Sequence, residues 1–296
     1  MNAAEPSGGG VTEPAPAKIN LYLHVTGRRD DGYHLLDSLI VFTDFGDVIS
    51  VAPADGLSLS VSGPFASKIS DLGERNLVMR AAASMAAAAG VPPRAALTLE
   101  KRLPVAAGIG GGSADAAATL RALRRFWSLQ IDDDTVRRLA LGLGADVPAC
   151  LRSTPVAVSG IGDVLAGFEG DWPRLHMVLA NPRKPLATAG VFTSRSEGFG
   201  DAAPILETPA NAETLISALT CRRNDLEEAA RTLEPLVVEV LHALSDQPDC
   251  RLARMSGSGA TCFGLFSDAP AAERAAREMV NRRPEWWVVA TSTRAG

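Results

Sequence analysis

Along residues 17–28 apolar and polar positions alternate one by one. Ile19, Leu21, Leu23 and Val25 point one way, and Lys18, Asn20, Tyr22 and His24 the other. A period of two predicts a half-buried strand with Lys18 and Asn20 side by side on its polar face. Residues 30–34 (DDGYH) read as a turn, and the leucine-rich and β-branched alternation of 35–52 and 57–62 predicts further strands. An alanine-rich stretch over 75–89, stopped by Gly90 and Pro92, predicts a helix. Residues 95–101 read as a strand and 104–112 as a glycine-rich segment. Ser113 then opens a helix on which Ala116, Leu120, Leu123 and Trp127 share a face. Arg121, Arg124 and Arg125 fall off that stripe and are expected in solvent. A further helix is expected over 133–141, then a loop (LGLGADVP), then two short strands within 154–168.

The second half has its own order. Residues 175–180 predict a strand, 211–219 and 224–244 helices, and 251–255 and 261–266 strands around the turn SGSGA. A helix follows Pro270, and 286–291 make a last strand. Strand–helix–strand–strand–helix–strand is the ferredoxin-like pattern. The expectation is an α+β chain with a boundary near residues 171–173: a flexible tail over 1–14, one domain over 15–172 and a second over 173–296.

Composition narrows the function. The chain has 296 residues, room for about two domains, with 46% apolar and 21% charged residues, which excludes a disordered chain. Twenty-nine basic residues against thirty-four acidic ones leave no excess for a nucleic-acid surface. No apolar run is long enough for a membrane span, and the first residues lack the basic start and apolar core of a leader. The cysteines Cys150, Cys221, Cys250 and Cys262 form no CxxC pair, so a reduced, cytoplasmic setting is expected. No histidine pair stands at helical metal-ligand spacing, so no zinc site is expected.

The chemistry-bearing segment is 104–118, PVAAGIGGGSADAAA. Gly108, Gly110, Gly111 and Gly112 crowd into five positions, although glycine costs about 0.5–1 kcal/mol in regular structure. Strand, glycine loop and helix N-terminus in that order make a phosphate cradle, because unpaired N–H groups and the helix dipole favour an anion. A flexible loop before a helix capped by Ser113 is the plainer alternative. Walker A spelling fails for want of Lys-Ser/Thr, and the dinucleotide fingerprint fails at Ser113. Asp115, one turn in, reads as a charge favourable to the dipole. Asp146 lies in GADVP, where Pro148 biases Val147 to extended geometry. It reads either as a turn residue or as a base or metal ligand held in a rigid loop. Lys18 and Asn20 read as a solvated strand face or a site. Residues 256–260 (SGSGA) read as a hairpin turn or a site.

Taken together, PAKINLYLHVTGRRDDGYH, LPVAAGIGGGSADAAA, LGADVP and MSGSGATCFGLF resemble, in order and spacing, the three motifs of the GHMP kinases, over nearly the whole span 16–266. The opening segment and the three consecutive glycines are similar to the branch that phosphorylates the 2-hydroxyl of 4-diphosphocytidyl-2-C-methyl-D-erythritol, for non-mevalonate isoprenoid precursors. The resemblance implies a two-domain fold, with an N-terminal mixed α/β ATP-binding domain and a ferredoxin-like substrate-binding domain. It implies ATP and Mg²⁺ as cofactors, with a cytidine-diphosphate-linked small molecule as partner in a monomer or weak homodimer. It makes Lys18 and Asp146 catalytic. It gives the ATP phosphates to Pro104, Val105, Ala106, Ala107, Gly108, Ile109, Gly110, Gly111, Gly112, Ser113 and Ala114. Tyr33, His34 and Phe192 surround the cytosine, Asn20 meets the sugar alcohol, and Thr188 supports the match. Gly257, Ser258 and Gly259 form the third motif. Alanine stands at 106 and 107 where glycine is common in the family, and Ala114 replaces a frequent second serine. The hydroxyl for Mg²⁺ then falls to Ser113 alone, with the cradle expected to survive.

Three alternatives stay open: a homoserine or mevalonate kinase of the same family, the mevalonate diphosphate decarboxylase that shares its fold, and a nucleotide-binding module without turnover. DGYH after the first strand speaks against the first. Carbon dioxide release would mark the second, and an absence of acceptor-dependent ADP release the third.

Overall fold

The computed structural model describes residues 9–196 and 198–294. The chain divides into two compact units. One takes the chain up to Ala17, then 46–105 and 110–153; the other takes 18–45, 106–109 and everything from Thr154. Two long strands, β1 (Val11–Arg28) and β2 (His34–Ala52), belong in part to each.

In the first unit, β3 (Leu57–Ser62) is followed by α1 (Leu77–Ala89) and β4 (Ala95–Glu100). β4 pairs parallel with β3 and antiparallel with the 48–52 end of β2. Its alternation works as predicted: Ala95, Leu97 and Leu99 are buried. Asn76 caps α1 through the Val78 N–H, and Gly90 ends it in the left-handed conformation. α2 (Gly111–Phe126) packs against α1, and α3 (Asp133–Leu143) and α4 (Val147–Arg152) complete the layer. α2 is buried on most of its surface from Ala114 to Leu120, which suits a run of alanines.

Three expectations change here. α2 begins at Gly111, with Gly110 as its N-cap, so Ser113 sits in the first turn and does not cap. The expected loop after 141 is helix to Leu143, and α4 starts at Val147. Val147 is helical despite the proline after it. Pro148 falls in the first turn, where a missing N–H costs nothing. Val11–Pro14 belongs to β1 rather than to a tail, while residues 1–8 of that tail lie outside the described residues. Buried Glu13 explains the order. It is ion-paired to Arg121 and Arg125, and Arg121 also donates to the Pro14 carbonyl at 2.8 Å. Arg121 is therefore drawn in to hold the strand, whereas Arg125 reaches Glu13 while staying exposed as expected, and Arg124 pairs with Asp133 at 2.6 Å.

In the second unit, β5 (Val156–Ser159) pairs with residues 38–40 of β2, and β6 (Val164–Gly167) pairs with β5. Then come β7 (His176–Asn181), α5 (Thr188–Ser194), α6 (Ala212–Thr220), α7 (Glu227–Leu233), α8 (Leu236–Ser245), β8 (Cys250–Met255), β9 (Cys262–Phe266), α9 (Ala269–Arg282) and β10 (Trp287–Ser292). The sheet order is β10-β7-β9-β8, antiparallel throughout, which is the ferredoxin-like arrangement expected. Leu23, Val25, Val178, Val240, Leu244, Met255, Phe266 and Trp286 share its core. The helix expected over 224–244 is broken. Pro235 has no N–H to continue α7 and pushes Glu234 to extended geometry, so α8 starts afresh at Leu236. No helix among the described residues is long and apolar enough to cross a membrane.

β1 departs most from expectation. It is buried on both faces from Ala15 to Val25, Lys18, Asn20, Tyr22 and His24 included. Buried polar groups need partners, and each of these has them.

Candidate active site

The second unit holds the polar face of β1. Lys18 Nζ donates to Asn20 Oδ1 at 3.1 Å, Asn20 Nδ2 donates to Ser38 Oγ at 2.8 Å, and Ser38 Oγ donates onward to the Tyr22 carbonyl. Both ends of the Asn20 amide are thus engaged, which fixes its orientation. Further along, the Tyr22 hydroxyl donates to Asp37 at 3.0 Å, and His24 Nδ1 lies 3.5 Å from the same carboxylate. Burial and the Asp37 charge push the Tyr22 phenol above its ordinary range. Burial opposes ionisation of Asp37, but His24, the Ala203 N–H and the Tyr22 hydroxyl outweigh it and hold its carboxyl below the usual range.

Against this face lie residues 106–109 and the turn 256–260. The Asn20 N–H donates to Ser256 Oγ, which donates to the Gly108 carbonyl, both at 3.1 Å. The Thr261 N–H bonds the Ala107 carbonyl at 3.1 Å, and the Lys18 N–H bonds the Ile109 carbonyl at 3.0 Å. A methyl group at Gly108 would sit 2.5 Å from the Ser256 carbonyl oxygen and 2.6 Å from the Gly259 nitrogen, so the backbones touch where a side chain would be. Ala106 keeps a left-handed φ of 52° despite its methyl. Asn224 Nδ2 bridges the Met255 and Gly257 carbonyls at 2.8 Å each, and Ser258 Oγ meets Thr188 Oγ1 at 2.9 Å. The third motif and the first half of the glycine segment are therefore one hydrogen-bonded body, joined to Lys18 and Asn20.

Thr188 opens α5, and Phe192 lies one turn on, at the same face. The Phe192 ring stacks on His34 with centroids 5.0 Å apart and an interplanar angle of 29°. Burial, Arg28 and Arg195 push the His34 imidazole below its ordinary pKa, favouring its neutral form. Tyr33, next in the chain, closes the turn through Arg29 and leaves its ring exposed. His34 and Phe192 are thus brought together.

The first unit holds the rest of the glycine segment. Pro104 is buried, Val105 half-buried, and Gly110 takes φ 63° as the cap of α2. Gly111, Gly112 and Ser113 form the first turn, and the first helical bond runs from the Ala114 N–H to the Gly110 carbonyl at 2.8 Å. No side chain caps this end, so its N–H groups remain available to an anion. Asp146 stands at the start of α4, half-buried, its carboxylate not used for capping.

Sequence reasoning missed a cluster in this unit. Lys101, 3% exposed, donates from Nζ to Asp47 at 2.5 Å and to Asp115 at 2.6 Å. Asp47 also accepts the Arg102 and Leu103 N–H groups at 2.6 and 2.8 Å. A methyl group at Gly111 would lie 3.1 Å from Lys101 Nζ, so the triad sits directly beneath the first turn of α2. Asp115 is therefore a buried partner of Lys101, not a solvated dipole charge. Only a lysine closing an alternating strand hinted at this. Among the described residues no group of three His, Cys, Asp or Glu side chains could hold a metal.

Comparison with known proteins agrees with this anatomy. The model of the GHMP kinases N terminal domain matches residues 76–154, and that of the GHMP kinases C terminal matches 206–285. A Paramagnetospirillum magneticum protein named 4-diphosphocytidyl-2-C-methyl-D-erythritol kinase is 53% identical over 274 residues, 93% of this chain and 95% of that protein. A Rhodospirillum rubrum protein of the same name is 50% identical over 290 residues, 98% of this chain and 95% of the relative. The crystal structure of a 4-(cytidine 5'-diphospho)-2C-methyl-D-erythritol kinase superposes with a TM-score of 0.80 at 34% identity, over 97% of this chain and 100% of the other. Homoserine kinase from Cytophaga hutchinsonii, at 16% identity and a TM-score of 0.73, shares the fold over 99% of this chain and 97% of its own.

Proposed function

We propose a reaction from one premise: this chain belongs to the GHMP kinase family. The reaction is transfer of the γ-phosphoryl group of ATP to the 2-hydroxyl of 4-diphosphocytidyl-2-C-methyl-D-erythritol. The observation that carries it is the His34–Phe192 stack beside an exposed Tyr33, a set of flat faces suited to a pyrimidine. Near-full-length relatives bearing that kinase name support the same acceptor.

Phosphoryl transfer asks for positioning and charge rather than covalent help. The N–H groups of Gly111, Gly112 and Ser113 hold phosphate oxygens at the α2 terminus. As the acceptor oxygen bonds to the γ-phosphorus, its proton passes to Asp146, and the bond from that phosphorus to the bridging oxygen breaks to release ADP. Lys18 keeps positive charge beside the reacting groups, aimed by Asn20. Asn20 also meets the sugar alcohol. The residues present fit a Mg²⁺ carried in on the nucleotide, because the first turn of α2 offers the Ser113 hydroxyl beside its free N–H groups. Such an ion, when bound, neutralises charge on the phosphoryl oxygens.

The test is ADP release with Mg²⁺-ATP, with and without this acceptor. Acceptor-dependent release that falls about 10²–10⁴-fold in Asp146→Asn is expected. Release that survives the substitution removes the base. No release above the control removes the acceptor.

A further inference from the structure

From 198 to 211 the chain has no regular structure, yet its backbone is held at Gly200, Ala203 and Ile205. The Gly200 N–H donates to the Val25 carbonyl at 3.1 Å, the Ala203 N–H to buried Asp37 at 2.6 Å, and the Ile205 N–H to the Tyr22 hydroxyl at 3.3 Å. Arg222 Nε donates back to the Ala203 carbonyl at 2.8 Å. A free loop would not hold a buried carboxylate and a buried phenol in its service. The Tyr22–Asp37 pair therefore works as a latch for this segment.

The latched segment presents Phe199. Among the described residues, Tyr33 at 61% and Phe199 at 54% are the well-exposed large aromatic side chains, and both adjoin His34. Tyr33 precedes His34 in the chain. The Phe199 ring lies 6.5 Å from the imidazole centroid, tilted by 60°. The Arg195 guanidinium stands 5.6 Å over the Phe199 ring, adding positive charge next to an aromatic surface. A large apolar ring kept in water on a fixed backbone, at the edge of an aromatic stack, marks a surface that something covers.

We propose that Phe199 is a specificity-determining residue for the acceptor: it forms a loop-borne wall that closes over the planar base against the His34–Phe192 stack. The proposal rests on the acceptor reading above and adds a residue from outside every motif read in the sequence. The wall is assigned to the base alone; phosphoryl transfer is assigned to other residues, Lys18, Asp146 and the first turn of α2. Its loss therefore acts on acceptor binding and leaves the chemical step intact.

The experiment is steady-state kinetics of the full chain and of Phe199→Ala and Phe199→Tyr, with both substrates varied, together with calorimetric titration of CDP. Base–aromatic stacking predicts that Phe199→Ala raises the acceptor KM about ten-fold or more and weakens CDP binding in parallel. The kcat at saturation and the KM for ATP stay within about two-fold, and Phe199→Tyr recovers the parent values. An acceptor KM within two-fold of the parent in Phe199→Ala overturns the wall alone. An equal rise in the KM for ATP also overturns it, as damage to the fold. A parent chain that turns over none of this acceptor removes the acceptor reading, and the wall with it.

Discussion

Lys101 and Asp115 face each other at 2.6 Å, both buried, with Asp47 on the other side of the ammonium at 2.5 Å. Two carboxylates share one lysine beneath a helix end expected to receive phosphate, so ionising both would leave an excess of negative charge there. Burial first, and then the Asp47 charge, push the Asp115 carboxyl up to about 8 against the pull of Lys101. Lys101 itself is held charged, since its two partners outweigh its burial. Replacing Lys101 by Met strands both carboxylates and is expected to cost roughly 3–5 kcal/mol, read from urea unfolding. An unchanged urea midpoint would show that the triad contributes nothing.

The same pair sets a pH dependence. Between its ordinary value near 3.8 and about 8, folded Asp115 holds a proton that the unfolded chain has released. Stability from this group therefore falls as pH rises through that window. Asp115→Asn removes the titration while leaving Asp47 to pair with Lys101. The variant should lie nearest the parent near pH 5 and exceed it by a margin that grows with every pH unit up to about 8. Parallel stability curves for the two proteins would refute the assignment.

Gly108 and Ala106 predict opposite signs. Gly108→Ala meets both a φ of 73° and the Ser256 carbonyl, so it should lose at least about 1–2 kcal/mol from backbone handedness, with the clash in addition. Ala106→Gly relieves a left-handed alanine and should raise the melting temperature, by up to about 1 kcal/mol of stability. Thermal melts of the two variants decide both.

Arg254 is a buried guanidinium donating to the carbonyls of Leu21, Leu219 and Arg222 at 2.7, 3.0 and 2.6 Å. Burial lowers its pKa to about 10, which still leaves it charged at neutral pH. Arg254→Leu leaves three acceptors unmet, at about 1–3 kcal/mol each. Arg254→Lys should recover little, because a single ammonium cannot span the fork. Full recovery by lysine, measured by melting, would contradict that geometry.

Asn20 predicts a kinetic effect. With its amide locked between Lys18 and Ser38, Asn20→Ala should lower kcat for the acceptor roughly 10–100-fold by releasing the ammonium it aims. Unchanged kcat alongside a raised acceptor KM would confine Asn20 to binding.

Local signals carried the elements that were legible. Asn76 and Gly90 bracket α1, the period of two marks β4, and the spelling of 104–118 and 256–260 points to residues that meet in space around Ser256 and Gly108. What could not be read needed tertiary juxtaposition. Asp47 lies in β2, Lys101 just past the end of β4 and Asp115 in α2, and no spacing links them. Glu13 pairs with two arginines at a separation of more than a hundred residues and draws one of them, Arg121, from solvent. The both-sided burial of β1 is hidden because Lys18, Asn20, Tyr22 and His24 have the composition of a wet face. Their partners come from β2, from 223–225 and from the third motif.

The interleaved path of the chain also bears on its synthesis. Val25 must wait for Asp225, 200 residues further on, to receive its N–H. At ribosomal rates of 5–20 residues per second, that is an interval of about 10–40 s. Ser38 and Asp37 of β2 follow Asn20 and Tyr22 by 18 and 15 residues, but the groups of β1 that pair with 223–225 and with Ser256 have no protein partner until the end of that interval or later. The polar spelling of that face, buried in the finished molecule, suits a strand whose groups are hydrated before those partners exist.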